Sequence, residues 1–101
     1  MKSKETEISI EKMEKIADIL KAIAHPVRLE ILKMMNNSEA LNVAQIMELT
    51  GLEQSLISHH LIKMKDKGVL KSVRNGRNIN YSLVDPSILR LFDCIKNCNF
   101  I

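Results

Sequence analysis

The hydrophobic positions in the first third of the chain repeat at helical spacing. Across residues 8–24, apolar side chains recur three or four positions apart, as on one face of a helix: Met13, Ile16, Ala17, Leu20 and Ala24. Pro26 disfavours helical angles at His25 but suits the first turn of a helix, so a second helix is predicted over about 26–36. Its inward side is expected to carry Leu29, Leu32 and Met35, widened by Ile31 or Met34.

The middle of the chain predicts two further helices with a short turn between them. A helix over 43–49 follows Asn42, which can act as its N-cap, and ends near Thr50–Gly51. After a turn of about three or four residues, another helix spans roughly 53–67 and stops at Gly68. Two helices joined by a short turn that contains glycine form a helix-turn-helix arrangement.

The period next changes from helical to strand-like. Two β-prone runs within 70–83 flank Asn75–Gly76, a dipeptide that strongly favours a hairpin turn. A two-residue turn at these positions pairs Arg74 with Arg77 at the tip. This register puts four side chains on the inner face and one valine on the outer face: Leu70, Ser72, Ile79 and Tyr81 inside, and Val73 outside.

A last amphipathic helix is predicted over 86–98 or beyond. Asp85 has the side chain of an N-cap, and Pro86 suits the first turn. A continuous apolar stripe follows, formed by Ile88, Leu91, Phe92, Ile95 and Cys98, with Leu89 widening it. The whole pattern predicts a mainly α-helical domain with one small β-hairpin.

Length and composition fit a single domain. The 101 residues, 46% of them apolar, are expected to form one domain over 1–101, with residues 1–7 as a disordered tail. No apolar run approaches the roughly 18 residues that cross a bilayer, so no membrane association is expected. The N-terminal MKSKETEISIEK lacks the apolar stretch of a secretory signal, and two cysteines make no disulfide framework. A cytoplasmic protein is predicted.

Positive charge is concentrated in one segment. The net charge is +3, but residues 54–80 hold six lysines and arginines and one acid, Asp66, which gives this segment +5 and leaves −2 for the rest. A local basic field points to an anionic partner, and a nucleic-acid backbone is the first candidate. A solvated lysine-rich face is the alternative.

The predicted helix 53–67 has two distinct sides. At about 100° per residue, one side carries Leu56, Ile57, His60, Leu61 and Met64, and the other carries Gln54, Ser55, Ser58, His59, Ile62 and Asp66. His59 and His60 therefore point apart and cannot grip one metal ion together. We expect His60 at the edge of the core with one ring nitrogen hydrogen-bonded.

The outer side of this helix has the side chains that read base edges in a major groove. Glutamine can bond adenine, serine can bond a base or a phosphate, and Ile62 can touch a thymine methyl group. Lys63, Lys65 and Lys67 are expected to contact phosphates, and Arg74 or Arg77 to reach a narrow minor groove.

No enzymatic arrangement is found in the chain. It has no phosphate-binding glycine loop, no nucleophile elbow and no closely spaced pair of carboxylates. His59 beside Ser55 or Ser58 lies on a convex helix face instead of in a pocket. We therefore expect no catalytic residue and no cofactor.

Three segments in succession resemble the ArsR family of winged-helix transcriptional repressors. They are KAIAHPVRLEIL, then NVAQIMELTGLEQSLISHHLIKMKDKGVL, then VRNGRNINYSL, and the resemblance covers roughly residues 13–98. It implies a winged helix-turn-helix homodimer that binds a palindromic operator in double-stranded DNA through helix 53–67 and the 70–83 wing. Gln54, Ser55, Ser58 and His59 would make the base and phosphate contacts. A winged-helix module that contacts an acidic protein is the alternative.

The resemblance also implies a dimer built from the terminal helices. The apolar stripes at the two ends exceed what one small domain needs, and we expect the interface to include Met13, Ile16, Leu20, Ile88, Leu91, Phe92 and Ile95. A two-fold dimer would place two helices in successive major grooves, about 34 Å apart.

Many relatives release DNA when an inducer binds, but the metal positions of the family are not filled here. Asn42 and Ala44 stand where one site has thiols, and the second site would be Asp85, Ser87, Cys98 and Ile101, of which two can coordinate a metal strongly. Lys33 replaces the first cysteine of the redox-sensing pattern. We therefore expect no metal site, and the inducer stays open.

Cys94 and Cys98 lie on neighbouring turns of the last helix. They are candidates for a thiol sensor, through oxidation between chains or a soft metal bound across the dimer. The alternative is two small apolar residues packed at the seam between chains.

Overall fold

A computed structural model describes residues 8–35 and 40–99 of the chain. Within them, five α-helices and an antiparallel two-stranded hairpin follow in order: α1 (Ile10–Ile23), α2 (Pro26–Met34), α3 (Val43–Thr50), α4 (Gln54–Asp66), β1 (Leu70–Asn75), β2 (Asn78–Leu83) and α5 (Arg90–Lys96). The prediction of a mainly α fold with a small hairpin is confirmed. The tail predicted for 1–7 lies outside the described residues.

Side-chain caps fix where α2 and α3 begin. His25 caps α2 because its ring Nδ1 accepts from the backbone N–H of Val27 at 3.1 Å, and Pro26 occupies the first turn. The predicted cap Asn42 is confirmed, and it forms a reciprocal pair with Gln45: each side chain accepts from the other residue's backbone N–H, at 2.8 and 2.9 Å. Such boxes satisfy N–H groups that the helix itself leaves free.

The turn between α3 and α4 has three residues, as expected. Gly51 ends α3 at φ 75°, in the left-handed region that glycine adopts without a steric penalty. The hydroxyl of Thr50 donates to the carbonyl of Ile46 at 2.7 Å and accepts from the N–H of Leu52 at 3.1 Å. These bonds hold α4 at a fixed position after α3 and complete a helix-turn-helix.

The register of the hairpin differs from the prediction. Asn75 pairs with Asn78, so Gly76 and Arg77 form the turn, and Arg74 lies opposite Ile79 instead of Arg77. Gly76 has φ 65°, which suits the first turn position of a primed hairpin turn. The predicted faces are nevertheless confirmed, because a shift of two residues preserves the alternation of strand side chains. Val73 is exposed, and Leu70 and Tyr81 are buried.

The core joins the helix-turn-helix to the base of the hairpin. Its fully buried members come from α2 and its C-cap Met35, and from α3, α4 and β1: Ile31, Leu32, Met35, Ile46, Ile57, Leu61, Met64 and Leu70. Leu41, just before α3, forms an antiparallel bridge with Tyr81 of β2 through two backbone hydrogen bonds, at 2.8 and 2.9 Å. The hairpin is therefore attached to α3 as well as to the end of α4.

The two terminal helices differ from their predictions in detail. The predicted helix 86–98 begins as a 3-10 helix, Pro86–Leu89, and becomes α-helical only in α5. Asp85 is confirmed as the cap, since its carboxylate accepts from the N–H of Ser87 at 3.0 Å. In α1, Ala22 and Ile23 are buried, while every side chain from 10 to 21 is exposed in the single chain.

Within the described residues, none of the helices is both long enough and apolar enough to span a bilayer.

Candidate nucleic-acid interface

The outer side of α4 is accessible to a partner. Gln54, Ser55, His59 and Ile62 are exposed and Ser58 is half-buried, while the opposite side packs into the core through Ile57, His60, Leu61 and Met64. One residue was placed wrongly: Leu56 was expected on the inner side but is 37% exposed. Leu56 lies at the border of the inner arc, about 100° from Ile57, where the neighbouring elements no longer cover it.

One open cleft unites α4 with α3 and the hairpin. It has a volume of about 450 Å³, and three of its lining side chains come from α4: Gln54, Ser58 and Ile62. The hairpin contributes Arg77 and Asn78 at its tip, and α3 and its cap contribute Asn42, Ala44 and Met47. The structure therefore brings together three of the predicted base-reading residues and one of the two predicted wing arginines.

The remaining predicted residues do not line this cleft. Ser55, His59 and Lys63 lie further round α4, Lys65 lies near its C-terminal end, and Arg74 lies on β1; all five are exposed. Among the described residues, no carboxylate forms an ion pair with any of the four cations Lys63, Lys65, Arg74 and Arg77. Their charge is therefore available to an external anion.

Asn42, Met47 and Asn78 line the cleft but were not predicted as site residues. Asn42 was identified only as the N-cap of the helix 43–49. Asn78 directly follows the RNGR tip, and its amide adds a donor and an acceptor beside Arg77.

Beneath the exposed face, His60 is a buried polar residue at 4% exposure. Its Nδ1 accepts from the Nε–H of Arg28 at 3.0 Å, which confirms the expected single hydrogen bond. Burial lowers the pKa of His60 below its usual value, and the nearby charges of His25, Arg28 and His59 lower it further. His60 is therefore neutral when α4 is packed at neutral pH.

The predicted inducer positions give no metal centre in the described part of the chain. No group of three or more His, Cys, Asp or Glu side chains there is arranged to hold a metal ion, and Ile101 lies outside it. Hydrogen bonds from Ser87 hold the pKa of the Asp85 carboxyl below its usual value, as expected of a cap. Cys94 is exposed and Cys98 is half-buried, with its thiol donating to the carbonyl of Cys94 at 3.2 Å.

The exposed helix-turn-helix and the basic hairpin beside it define a class. A polar helix face, flanking cations and a protruding two-stranded wing match the surface of a duplex, which offers base edges between two rows of phosphates. This arrangement is that of a winged helix-turn-helix DNA-binding domain.

Comparison with known proteins gives the family. The family model described as "Bacterial regulatory protein, arsR family" matches residues 25–72. The chain is 45% identical over 76 residues to the transcriptional repressor PagR of Bacillus anthracis, which covers 75% of this chain and 76% of PagR. It is 36% identical to the HTH-type transcriptional regulator YgaV of Escherichia coli strain K12, with 83% and 85% of the two chains covered.

Solved structures agree with this assignment. The crystal structure of PagR superposes with a TM-score of 0.76 at 39% identity, and covers 86% of this chain and 99% of that one. The solution structure of Mb0332 from Mycobacterium bovis, described as a homodimeric winged helix-turn-helix DNA-binding domain, superposes with a TM-score of 0.73 at 26% identity, covering 90% and 86%.

The chain belongs to the arsR family of bacterial regulatory proteins. It is therefore a DNA-binding transcriptional regulator and not an enzyme, and the resemblance found in the sequence is confirmed. The alternative of a module that binds only proteins is not supported by these relatives.

Proposed function

We propose that this protein is a cytoplasmic homodimeric repressor that inserts α4 into the major groove of a palindromic operator and lays its wing on the neighbouring backbone. The observation that carries the proposal is the open cleft in which Gln54, Ser58 and Ile62 of α4 meet Arg77 of the wing. The amide and hydroxyl groups of α4 can bond base edges in the groove, and the cation of the wing can contact the phosphates beside them.

Base reading falls to the side chains in and beside the cleft. Gln54 can make a bidentate bond to adenine, Ser55 and Ser58 can bond a base edge or a phosphate, and the exposed Ile62 can contact a thymine methyl group. His59 lies on the same exposed side, and its ring nitrogens can bond a base edge or a phosphate.

Phosphate contacts fall to the cations around the cleft. Lys63 and Lys65 lie on α4, and Arg74 and Arg77 lie on the wing, all of them exposed. Such contacts set affinity and its dependence on salt but carry no sequence information.

The second copy of the chain is proposed to cover α1 and α5. Met13 and Leu20 on α1 are 49% and 46% exposed, and Ile95 on α5 is 38% exposed, although all three are large apolar residues. Ile16 is also exposed, and Ile88, Leu91 and Phe92 are half-buried, so the stripes on the two helices are both incompletely covered. Large apolar side chains that stay exposed together along two helices favour an interface. A two-fold dimer formed there would present two α4 helices to successive major grooves.

A thiol-responsive release of DNA is the second candidate function. The exposure of Cys94 favours it, because an oxidant can reach that thiol in the single chain. Cys98 is half-buried four residues away. If this mechanism operates, peroxide or diamide lowers operator affinity of the wild type and leaves a Cys94→Ser, Cys98→Ser variant unchanged; equal loss in both proteins excludes it.

The proposed reading role is tested by replacing Gln54. The operator is first selected from random duplexes, and affinity is then measured by fluorescence anisotropy for the operator and for versions with one base pair changed. Gln54→Ala is expected to lose roughly 1–3 kcal/mol of discrimination at one position of each half-site while other positions keep theirs.

Two comparisons make this test specific. Lys65→Ala should weaken binding to all sequences by a similar factor, because it removes a phosphate contact. Lys33 lies on the exposed side of α2, away from the cleft, so Lys33→Ala should change neither the affinity nor the discrimination between base pairs. The reading role is wrong if Gln54→Ala and Lys65→Ala lose affinity in the same sequence-independent way.

A further inference from the structure

The three histidines of the chain lie close together where α4 meets the start of α2. The ring centroids of His25 and His60 are 4.5 Å apart, and those of His59 and His60 are 5.3 Å apart. Arg28 joins this cluster through its hydrogen bond to His60. Residues 32 positions apart in the chain therefore meet directly beneath the proposed DNA-binding face.

Arg28 connects three helices at this point. Its Nε–H donates to His60 of α4 at 3.0 Å, and one of its terminal N–H groups donates to the carbonyl of Ala22 in α1 at 2.8 Å. Arg28 itself belongs to α2, whose cap is His25. The guanidinium thus holds the last turn of α1 and the middle of α4 at fixed distances from α2.

The hydrogen bond between Arg28 and His60 requires one protonation state. A guanidinium is a donor at all accessible pH values, so the Nδ1 of His60 must be the acceptor and its Nε2 must carry the proton. Protonated imidazole has a donor on both nitrogens and no acceptor. Protonation of His60 therefore breaks this bond and places two cations against each other in a largely buried site.

We propose that Arg28 and His60 are a positioning pair for α4, and that acid weakens operator binding by protonating His60 and releasing α4 from α2. This inference rests on the proposed function, to which it adds a mode of regulation. Dimeric binding makes the effect larger, because both copies of α4 must reach the major groove at a fixed separation.

The surroundings of His60 make protonation costly while α4 is packed. The charged and titratable groups that act on it are His25 and Arg28 at the start of α2 and His59 on α4; in the described part of α1, α3 and β1, which also pack against α4, no carboxylate compensates. Burial is the main cause of the lowered pKa, and the three neighbours lower it further. His60 therefore gains its proton only at acid pH, and gains it more easily once α4 has moved.

A positive charge on His59 would have the opposite effect on DNA binding, so the contribution of His59 must be distinguished from that of His60. His59 is exposed on the proposed DNA face, where a positive charge on its ring would lie close to phosphates and strengthen binding. The ring of His25 lies against that of His60, and its Nδ1 accepts from the N–H of Val27. Each histidine is therefore replaced separately by asparagine, whose carbonyl oxygen can take the place of Nδ1 as an acceptor that does not titrate.

The experiment measures the dissociation constant of a duplex selected at pH 7.5, by fluorescence anisotropy, at pH 7.5 and at pH 5.5 and at constant ionic strength. For the wild type, the constant is expected to rise about tenfold at the lower pH, within the range typical of coupling between two sites. The readout for each protein is the dissociation constant at pH 5.5 divided by the dissociation constant at pH 7.5. It should approach one in His60→Asn, stay near the wild-type value in His25→Asn, and rise in His59→Asn. Circular dichroism at both pH values checks that each protein is folded.

A second measurement covers the case in which His60→Asn does not fold. Imidazole nitrogen chemical shifts of the wild type identify the tautomer of His60 and its titration midpoint. The expected result is an Nε2–H tautomer with a midpoint below 6.5 that coincides with the fall in operator binding. An Nδ1–H tautomer, or a fall in binding that follows His25 or His59 instead, overturns the proposal.

The outcomes distinguish this inference from the function beneath it. Binding that is equally tight at pH 5.5 and pH 7.5, or a tenfold loss that persists in His60→Asn, overturns the acid response and leaves DNA binding standing. If no duplex is selected at pH 7.5, the proposed function fails and the acid response fails with it.

Discussion

Replacing Arg77 by alanine tests the contribution of the wing to DNA binding. Arg77 occupies the hairpin turn, is exposed, and lines the same cleft as Gln54 and Ser58. If Arg77 contacts one phosphate, binding of the variant releases one counterion fewer per chain. The slope of log affinity against log salt then becomes shallower by about 0.9 per chain. A two-fold dimer carries two wings, so the expected change is about 1.8 per dimer.

The magnitude is large enough to measure. Between 50 and 200 mM salt, a slope change of about 1.8 means that the variant loses roughly twelvefold less affinity than the wild type. The assay is a series of anisotropy titrations at four or more salt concentrations, with the operator and with an unrelated duplex. The variant should bind both duplexes more weakly at low salt. Unchanged salt slopes, or a loss confined to the operator, would refute the assignment of Arg77 to the backbone.

Three further predictions follow from burial and charge. Ile95→Asp adds a charge to the proposed seam and should give monomers in sizing chromatography, whereas Lys33→Asp, on α2, should leave the dimer intact. Leu61→Ala removes a fully buried side chain from α4 and should lower the free energy of unfolding in urea by about 2–5 kcal/mol. Because the pKa of His60 is lowered in the folded state, the unfolded chain binds more protons than the folded chain below pH 6.5. The contribution of His60 to the free energy of unfolding should therefore be full above pH 6.5 and be lost as the pH falls through the folded pKa. His60→Asn should flatten this decline.

The helices and the exposed face of α4 were predictable because they depend on local signals. The N-cap Asn42, the turn at Gly51 and the arc of Ile57, Leu61 and Met64 are all encoded within a few residues of where they act. The same spacing rule placed Gln54 and His59 outside, where they are found.

The hairpin register could not be obtained in this way. The predicted and observed pairings differ by two residues, and both put Leu70 and Tyr81 on the inner face, so the alternation of polar and apolar residues does not distinguish them. What distinguishes them lies far away in the chain: the bridge between Leu41 and Tyr81, and the burial of Leu83 opposite Leu70.

Long-range polar contacts escaped prediction for the same reason. The sequence indicated that His60 would have a hydrogen-bond partner, but not that Arg28 would supply it across 32 positions. His25 was interpreted only as a break between helices, although its ring caps α2 and lies against His60.

The tip of the wing has a practical consequence for redesign. A Cβ atom added at Gly76 would meet no atom within 4 Å beyond its chain neighbours, although its φ of 65° favours keeping glycine there. Residues 74–78 around this turn are all exposed. Extra length can therefore be grafted there without disturbing the interior. Adding one residue to each strand would move the side chains of the new tip to the opposite faces of the hairpin, whereas adding two would keep their faces. Insertions of two residues in each strand would therefore lengthen the wing and extend its contact with DNA.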